Sequence, residues 1–532
     1  MAADRPRTPR RARPAASPAR RRPRARRRPR VLVFAGVLVA MIAAIGVITA
    51  SGADPQPTLP RHALRIDVAA APLSRPVPAG YVGLSIEYRS AFYYFGSDPS
   101  HPNPLFVALV RGLTPGQSPV IRFGGDTTDW TWWRTPGVAQ PAGVKYTIGA
   151  RWAAATRAAA RALGARLILG INFEADSAAI AHTESHALLA AIGRRYIAGF
   201  ELGNEPEVYG TLGWYATPSG APVTGRPASY GFGAYLPDYA RIASALPSSV
   251  PLVGPASGSP VWLSHLGRYL AANPRVRVVT FHRYPLHRCF TPRTSPAYPT
   301  IPNLLAPAAA SGPADSLSGA VRVAHAHGLA LRSDELNSVS CGGARGVSDT
   351  FASALWILDT LFNMARVGVD GVNVHTFRDA IYEPFAFAHS GGRWTAQVRP
   401  MYYGMLMFAR AAPPGSRLLA TAVRGRSAVT VWATRAPDGR VRVVLINRSR
   451  RRWVTTAVRA PGSAATAVAE RLRAPRLGAR AGITIGGQSF GATTTSGTLT
   501  GPVRRVPLPA IQHRFVVRLP PASATLLSVG GS

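Results

Sequence analysis

Eight short apolar segments, each followed by a longer helix-like stretch, predict an α/β protein built on a parallel sheet. The segments are GLSIEY (83–88), VIRFGG (120–125), RLILGINF (166–173), YIAGFELGNE (196–205), PLVGP (251–255), VRVVTFHRY (276–284), LALRSDELN (329–337) and GVNVHTF (371–377). Eight such units predict a (β/α)8 TIM barrel over residues 81–411. Between the segments, residues 151–163 are alanine-rich, Asp349 is a candidate helix cap, and the helix near 400–410 would close the barrel.

The texture of the sequence changes after Pro414. Alternating apolar and polar segments follow, separated by Gly, Pro and Asp turns: SAVTVWATR, RVRVVLINRS, RWVTTAVRA, GITIGGQSF and HRFVVRLPPASATLLSV. This period of two predicts a C-terminal antiparallel β-sandwich domain over residues 412–532, with residues 51–80 as a linker ahead of the barrel. A length of 532 residues, 47% of them hydrophobic, agrees with more than one core.

The amino terminus consists of two segments of opposite character. Residues 1–30 hold thirteen arginines among prolines and alanines, which predicts a basic, disordered cytoplasmic tail. Residues 31–50 carry no charge and match the ~20 residues that cross a bilayer, which predicts a single-pass transmembrane signal-anchor. Arginines before the span and none directly after it place the rest of the chain outside the cell. A cleaved signal peptide is the alternative and would make the protein secreted.

The formal net charge is +38, of which the tail supplies +12 and the remainder +26. A surface this basic would attract acidic polysaccharides or anionic envelope polymers; scattered, solvated arginines from a biased composition are the alternative. Nucleic acid is not an expected partner, because no binding motif is present and the basic residues do not interleave with an aromatic stripe.

Two glutamates lie near the ends of predicted strands. Glu205 ends the fourth strand in FELGNEPEVYG, and Glu335 lies in the seventh, LALRSDELNSVSCGG. The carboxyl ends of barrel strands meet at one mouth, so these carboxylates can flank a single ligand. Two carboxylates are the minimum equipment for cleaving a glycosidic bond, and a separation of about 5–5.5 Å suits a retaining mechanism. The sequence therefore predicts a glycoside hydrolase, with Asn204 as a candidate donor to the sugar's 2-hydroxyl.

Several motifs in a fixed order resemble glycoside hydrolase family 79, the β-glucuronidase and heparanase-like group of retaining (β/α)8 enzymes. The resemblance spans most of residues 65–530 and rests on GLSIEY, VIRFGGDTTDW, LGNEPEVYG, FHRYPLHRC, DELNSVSCGG, VNVHTF, AIYEPF, VRPMYYGMLMF and ITIGGQSF. It implies that Glu205 is the general acid/base and Glu335 the nucleophile. It also implies that a strand near residues 62–68 joins the sandwich.

The resemblance implies further contacts to the nucleophile and the sugar. Tyr284 would hydrogen-bond Glu335 and His282 would line the same wall, although both are also compatible with packed core residues. Glu87 and Asp126 match positions that contact sugar hydroxyls. The alternative for these two acids is a salt bridge under the barrel rim, to Arg89 or Arg122.

A glucuronide-cleaving enzyme must also hold the sugar's own carboxylate, through backbone N–H groups or a tyrosine hydroxyl. Gly342, Gly343 and Tyr382 match the positions where the family places this clamp. Ser340 departs from the pattern, because a tyrosine would be expected there and serine is a shorter donor. This departure keeps a neutral sugar open as the substrate.

Cys289 follows the sixth strand and Cys341 the seventh, and these strands are neighbours in a barrel. A disulfide between them would fix the loop after Glu335; two free thiols are the alternative. A total of two cysteines suits an exported protein. No His, Cys or Asp cluster has the sequence spacing of a metal site, so neither a metal nor a cofactor is expected.

Together these observations predict a retaining, exo-acting β-glycosidase on the cell membrane, with β-glucuronides or acidic glycans as substrates. A loop rich in Gly, Pro, Ser and Thr (210–233) is consistent with exo cleavage, because it could wall off the cleft. The first alternative is the same mechanism on a neutral sugar such as a xyloside or glucoside. The second is a catalytically silent carbohydrate-binding envelope protein, since a fold does not imply a function.

Overall fold

The computed structural model describes residues 58–425 and 427–530. The predicted tail (1–30) and the predicted membrane span (31–50) lie outside these ranges. Among the described helices, none combines the length and apolar character that crossing a bilayer requires.

Eight parallel strands close into a barrel, which confirms the predicted fold class. The strands are β1 (Val82–Glu87), β2 (Val120–Gly124), β3 (Arg166–Ile171), β4 (Ile197–Leu202), β5 (Leu252–Ser257), β6 (Val276–Arg283), β7 (Ala330–Leu336) and β8 (Gly371–Thr376). Neighbours in the barrel are neighbours in the chain, and β8 pairs with β1 to close it. β1, β5 and β8 are buried at every residue, because side chains fill the barrel on one face and helices cover the other.

Eleven α-helices occur in the described chain, most of them around the barrel. They are α1 (Ala91–Phe95), α2 (Pro104–Leu113), α3 (Ala150–Leu163), α4 (Ala178–Ile192), α5 (Phe232–Ser244), α6 (Pro260–Leu263), α7 (Leu266–Ala272), α8 (Ile301–Leu304), α9 (Pro307–Ala326), α10 (Phe351–Val367) and α11 (Pro400–Ala411). Short 3-10 turns occupy Tyr88–Ser90, Asp126–Thr128, Arg194–Tyr196 and Pro206–Val208. Small two-stranded sheets pair Thr131–Trp133 with Tyr146–Ile148, Tyr215–Ala216 with Pro222–Val223, and Phe385–Ser390 with Arg393–Val398.

The expected cap of α10 is wrong by one residue. Thr350 precedes the helix, while the Asp349 carboxylate accepts a hydrogen bond from the Gly346 N–H (2.7 Å) and pairs with Arg480 (2.9 Å). α10 is buried along almost its whole length, because α9 and α11 pack beside it and the second domain covers it.

The second domain is a single β-sheet of ten strands that curls until its ends pair. The strands are Leu64–Pro72, Arg417–Arg424, Val429–Arg435, Val441–Asn447, Val454–Arg459, Thr466–Arg473, Thr484–Ile485, Arg505–Ile511, Arg514–Leu519 and Ser523–Val529. Thr466–Arg473 pairs with Ser523–Val529 and so closes the sheet around its own apolar core. The N-terminal strand Leu64–Pro72 lies between Arg417–Arg424 and Val454–Arg459 and runs parallel to the latter.

The two domains pack through α10. Trp432 of the sheet donates its indole N–H to Asp359 (2.8 Å), and its ring stacks on Phe362 with centroids 5.5 Å apart. Arg448 pairs with the same carboxylate at 3.4 Å. The sheet therefore packs against the outer face of the barrel at α10.

Candidate active site

A cavity of about 1190 Å³ opens at the carboxyl ends of the barrel strands. Nine of the predicted site residues line it: Glu87, Asp126, Glu205, His282, Tyr284, Glu335, Ser340, Gly342 and Tyr382. Two other predicted residues, Asn204 and Gly343, are buried and do not line it. The fold thus gathers residues from Glu87 to Tyr382 of the sequence into one pocket.

Glu335, in β7, is held by donors on both oxygens. Oε1 accepts a hydrogen bond from the Tyr284 hydroxyl (2.8 Å), as the sequence predicted, and Oε2 accepts one from Arg122 Nη1 (2.7 Å). His375 Nδ1 lies 3.5 Å from Oε2. Burial alone would raise the pKa of Glu335, but the positive charges of His375, His282 and Arg122 and the tyrosine hydrogen bond outweigh it and lower the pKa to about 2. Glu335 is therefore ionised at any physiological pH.

Arg122 is the electrostatic centre of the barrel interior. Its guanidinium is fully buried and pairs with Glu201 (2.6 Å), Asp334 (3.0 Å) and Glu335 (2.7 Å). Burial raises the pKa of Asp334 well above its usual value, and the neighbouring Glu201 raises it further, so Asp334 keeps its proton. Arg122 offsets the burial of Glu201 and lowers the pKa of that carboxyl. One cation thus neutralises two carboxylates, leaving the third in its acid form.

Glu205 follows β4 and has a different environment. Its backbone adopts the left-handed region (φ +49°), which is unusual for a residue with a side chain, and its N–H donates to the Ala256 carbonyl (2.8 Å). The side chain is 30% exposed to the pocket, against 8% for Glu335. Oε1 lies 3.0 Å from His282 Nδ1. Burial lowers the pKa of His282, but the charge of Glu335 and the hydrogen bond to Glu205 outweigh it and raise the pKa to about 9, so Nδ1 carries a hydrogen that it donates to Glu205.

The strained turn at Glu205 is anchored by Asp129, from the motif DTTDW. Asp129 Oδ2 accepts hydrogen bonds from the Asn204 N–H (3.0 Å) and the Tyr209 hydroxyl (2.7 Å), and Oδ1 accepts from two amides after β3. The Asn204 side chain accepts from Arg122 Nη2 (3.0 Å). Asn204 therefore connects the arginine centre to Glu205 and does not reach the pocket surface.

Glu87 and Asp126 lie at the ends of β1 and β2, and neither forms the salt bridge considered as an alternative. Glu87 Oε2 accepts from the N–H and hydroxyl of Thr127, and Oε1 lies 3.5 Å from His375 Nε2. Asp126 is an exposed residue of the cavity lining. Partial desolvation inside the cavity, followed by the negative charges of Glu87, Glu205 and Glu335, raises the pKa of Asp126 to about 7.

The loop after β7 contains three residues of the predicted carboxylate clamp, namely Ser340, Gly342 and Gly343. Cys341, Gly342 and Gly343 all have positive φ (58°, 78° and 92°), and within the described chain no acceptor contacts their three N–H groups. A Cβ at Gly343 would come within 3.1 Å of Tyr382, so this close approach requires glycine. Cys289 and Cys341 form the predicted disulfide, which ties this loop to the one after β6. Ser340 Oγ lies 3.3 Å from His287 Nδ1.

The fold brings together one group with metal-ligand character that sequence spacing did not indicate. Ligand atoms of Glu205, His282 and Glu335 all lie within 4.8 Å of one another. Arg122, however, already contacts Glu335 and His282, and its fixed positive charge opposes a second cation at this position. The metal-free site stays our prediction; a chelator such as EDTA is expected to leave turnover unchanged.

Arg122 and His375 are site residues that the sequence does not identify. Arg122 is predicted only as an alternative partner for Glu87 and Asp126, because an arginine in the middle of an apolar strand gives no sign of what it pairs with. His375 lies near the end of β8 in the motif VNVHTF, and the rule that functional groups occupy strand ends could have identified it.

Comparison with known proteins supports the fold. No protein-family model and no curated protein matches this sequence. Among solved structures, a 4-O-α-L-rhamnosyl-β-D-glucuronidase from Fusarium oxysporum 12S is 19% identical, with a TM-score of 0.67, over 87% of this chain and 100% of that one. A family 51 arabinofuranosidase from Xanthomonas axonopodis pv. citri is 15% identical, with a TM-score of 0.62, over 88% of this chain and 100% of that one. The protein therefore has the fold of glycoside hydrolases that join a (β/α)8 barrel to a β domain.

Proposed function

We propose that this protein is a retaining β-glycosidase in which Glu335 is the nucleophile and Glu205 the general acid/base. The observation that carries the proposal is the pairing of these carboxylates in one pocket, with oxygens of the two groups within 4.8 Å of each other. Inverting enzymes separate their carboxyls by ~6.5–9.5 Å to admit a water, whereas retaining enzymes hold them at ~5–5.5 Å. The close approach supports the retaining alternative.

The surroundings support the division of roles. A nucleophile must be ionised, and Glu335 is held as a carboxylate by Arg122, Tyr284 and His375. An acid/base must exchange protons with a leaving group and with water, and Glu205 is the more exposed of the two. His282 donates to Glu205 Oε1, which leaves the other oxygen available for the glycosidic oxygen.

The reaction proceeds in two displacements. A Glu335 oxygen attacks the anomeric carbon as the bond to the leaving oxygen breaks, and Glu205 gives its proton to that oxygen. The sugar is then an ester of Glu335. Glu205, now a carboxylate, takes a proton from water, whose oxygen attacks the anomeric carbon and releases Glu335 and a sugar of retained configuration.

We further propose β-glucuronides as substrates, in line with the resemblance to family 79. The support is a set of donors in the cavity lining, the N–H groups of Cys341 and Gly342 and the hydroxyl of Tyr382, with Gly343 next to them in the chain. Arg288 also lines the pocket and donates to the Gly343 carbonyl (3.2 Å), which adds a positive charge to this wall. The fold is shared with a structure described as a rhamnosyl-glucuronidase.

A neutral sugar is the second candidate, and Ser340 is the observation that favours it. Ser340 lines the pocket where the family 79 pattern would place a tyrosine, and its shorter side chain is engaged with His287. The fold is also shared with arabinofuranosidases. The machinery around Glu205 and Glu335 would serve either sugar.

The lining of the pocket is also relevant to exo cleavage. Leu212, from the loop 210–233, lines the cavity, which supports a walled pocket and release of terminal sugars.

Membrane anchoring through residues 31–50, with the barrel outside the cell, stays a proposal. Western blotting of membrane and culture fractions, with mass spectrometry of the amino terminus, would distinguish an anchor from a cleaved signal.

The test is hydrolysis of matched chromogenic β-glucuronide and β-glucoside by the full chain in detergent. Faster turnover of the glucuronide supports both the machinery and the clamp, while faster turnover of the glucoside overturns the clamp alone. Proton NMR of the first-formed sugar reports the anomeric configuration, and inversion would contradict the retaining mechanism. Tight sugar binding without turnover of either substrate would favour the silent binding protein.

A further inference from the structure

A second large cavity lies on the β domain, and most of its lining residues come later in the chain than any predicted site residue. It is a groove of about 1020 Å³ between the loop 449–453, the segment 473–478 and the turn 520–522. We call it the arginine groove, because its lining includes Arg450, Arg451, Arg452, Arg473 and Arg476. It is continuous with a smaller cavity of about 470 Å³ that shares Ser449, Arg452 and Trp453.

The five arginines of the groove have no acidic partner within the described chain. All five side chains are exposed, and none lies within 4.0 Å of a carboxylate there. Other arginines of the same domain do find partners: Arg459 and Arg514 pair with Asp67, and Arg448 pairs with Asp359. Five arginines around one groove, without a carboxylate partner in the described chain, create a positive potential that attracts polyanions.

The groove also contains an exposed aromatic ring. Trp453 is 51% exposed, although a side chain of this size is usually buried, and it lies where the two cavities join. The Arg518 guanidinium lies 4.6 Å from its ring centroid. The lining of the smaller cavity also includes Arg61, His62 and Arg424, of which Arg424 lies 3.8 Å from Asp67. A flat ring among cations can stack on a pyranose face while arginines bind its carboxylates.

We propose that the arginine groove binds a linear acidic polysaccharide, a polyuronate or a sulfated glycan. A concave groove suits a polysaccharide chain better than the flat surface of a bilayer, and an exposed aromatic ring among arginines suits a charged sugar. Ile301 lines the groove and Asn303 of the same helix, α8, lines the active-site cavity. A polymer held here thus lies close to the barrel mouth. The inference stands apart from the proposed glycosidase activity, since binding needs no turnover.

The experiment compares binding of polygalacturonate, and of neutral dextran, by three forms of the full chain. The wild type is expected to bind polygalacturonate, with an affinity that falls as salt is added, and not to bind dextran. The groove variant R450Q/R451Q/R476Q should bind at least about tenfold more weakly, because three charge-assisted contacts are lost. The matched control R157Q/R161Q/R195Q removes the same charge from exposed positions on the barrel and should bind as the wild type does.

Two further measurements isolate the groove from the basic tail. Trp453→Ala keeps the net charge and should weaken binding by roughly threefold to tenfold if the ring stacks on sugar. Phenylglyoxal labelling read by mass spectrometry should show polygalacturonate protecting Arg450, Arg451 and Arg476. Equal weakening in the groove and control variants would overturn the proposal. So would groove-dependent binding of phosphatidylglycerol vesicles with none of polygalacturonate.

Discussion

The two walls of the barrel mouth place their glutamates in opposite environments. On the β7 wall, Glu335 is buried and contacts an arginine, a tyrosine and a histidine, all of which stabilise its charge. On the β4 wall, Glu205 is more exposed, contacts His282 alone, and sits on a strained backbone. The difference shows that one barrel can hold one carboxylate as a buried anion and leave a second carboxylate open to the pocket.

The largest expected effect comes from removing the charge on the β7 wall. Glu335→Gln keeps the size of the side chain but supplies no nucleophile, so turnover should fall by about 10⁴-fold or more. The check is kcat on the preferred chromogenic glycoside, with circular dichroism to confirm folding. Glu470→Gln, a matched change in the β domain, is the control. A folded, active Glu335→Gln would refute the assignment.

Glu205→Gln should depend on the leaving group, because the lost function is proton transfer. With a phenyl glycoside, kcat/KM should fall by about 10²–10⁴-fold. With a dinitrophenyl glycoside the fall should be much smaller, because dinitrophenolate needs little protonation to leave. Added azide should then restore turnover and yield a glycosyl azide, since it attacks the ester on Glu335 without a base. A loss that is equal for all leaving groups and insensitive to azide would point to another acid.

Arg122→Met tests whether one cation supports the β7 wall. The substitution leaves Glu201 and Glu335 buried without their partner, which should cost about 3–5 kcal/mol of unfolding free energy. Urea unfolding measures this, with Arg157→Met on the exposed face of α3 as a control. Arg122→Lys restores the charge without the planar fork and should recover part of the stability. Equal stability of the Arg122 and Arg157 variants would show that the buried pairing is dispensable.

The barrel and the β domain also differ in how well their strands could be predicted from the sequence. All eight barrel strands were predictable, because each contains a short run of apolar residues between helix-like stretches, although β2, β6 and β7 also carry charged residues. The β domain was harder. Thr466–Arg473 was missed because it carries Glu470 and arginines, and Arg505–Ile511 because Pro507 and Pro509 interrupt it. Only Thr484–Ile485 of the predicted segment GITIGGQSF is a strand, since Gly486 and Gly487 turn the chain with positive φ.

For the site, strand-end positions were predictable and interior pairings were not. Glu205, Glu335 and Tyr284 follow from motifs at strand ends, where topology alone brings residues together. The role of Arg122 depends on which of several buried acids it contacts, and that is fixed by packing inside the barrel. Asn204 illustrates the limit: its position beside Glu205 was predicted, but its side chain contacts Arg122 behind the wall.

Tyr284→Phe should weaken the stabilisation of the Glu335 carboxylate without abolishing it. The change removes the donor to Glu335 Oε1 and leaves the arginine on Oε2, so kcat/KM should fall roughly 10–100-fold. The pKa of Glu335 should rise, which moves the acid limb of the pH profile upward. Tyr196→Phe, at a tyrosine outside the pocket, is the control. An unchanged acid limb would indicate that Tyr284 only packs against Tyr382.

The smallest expected effect concerns pH and the third acid of the mouth. Asp126 ionises near pH 7, because its folded-state pKa is raised to about 7 from an ordinary value of 3.8. Its charge therefore costs stability that increases as the pH rises from about 4 to 7, and above pH 7 it repels a glucuronide carboxylate. The KM for the glucuronide should rise roughly threefold to tenfold between pH 6 and 8. Asp126→Asn should remove this step, and a neutral glucoside should show less of it in the wild type. If KM for the glucuronide rises by the same factor in Asp126→Asn, a different group titrates. The next candidate is Glu207 on the β4 wall, because burial and the charge of Glu205 raise its pKa to about 7.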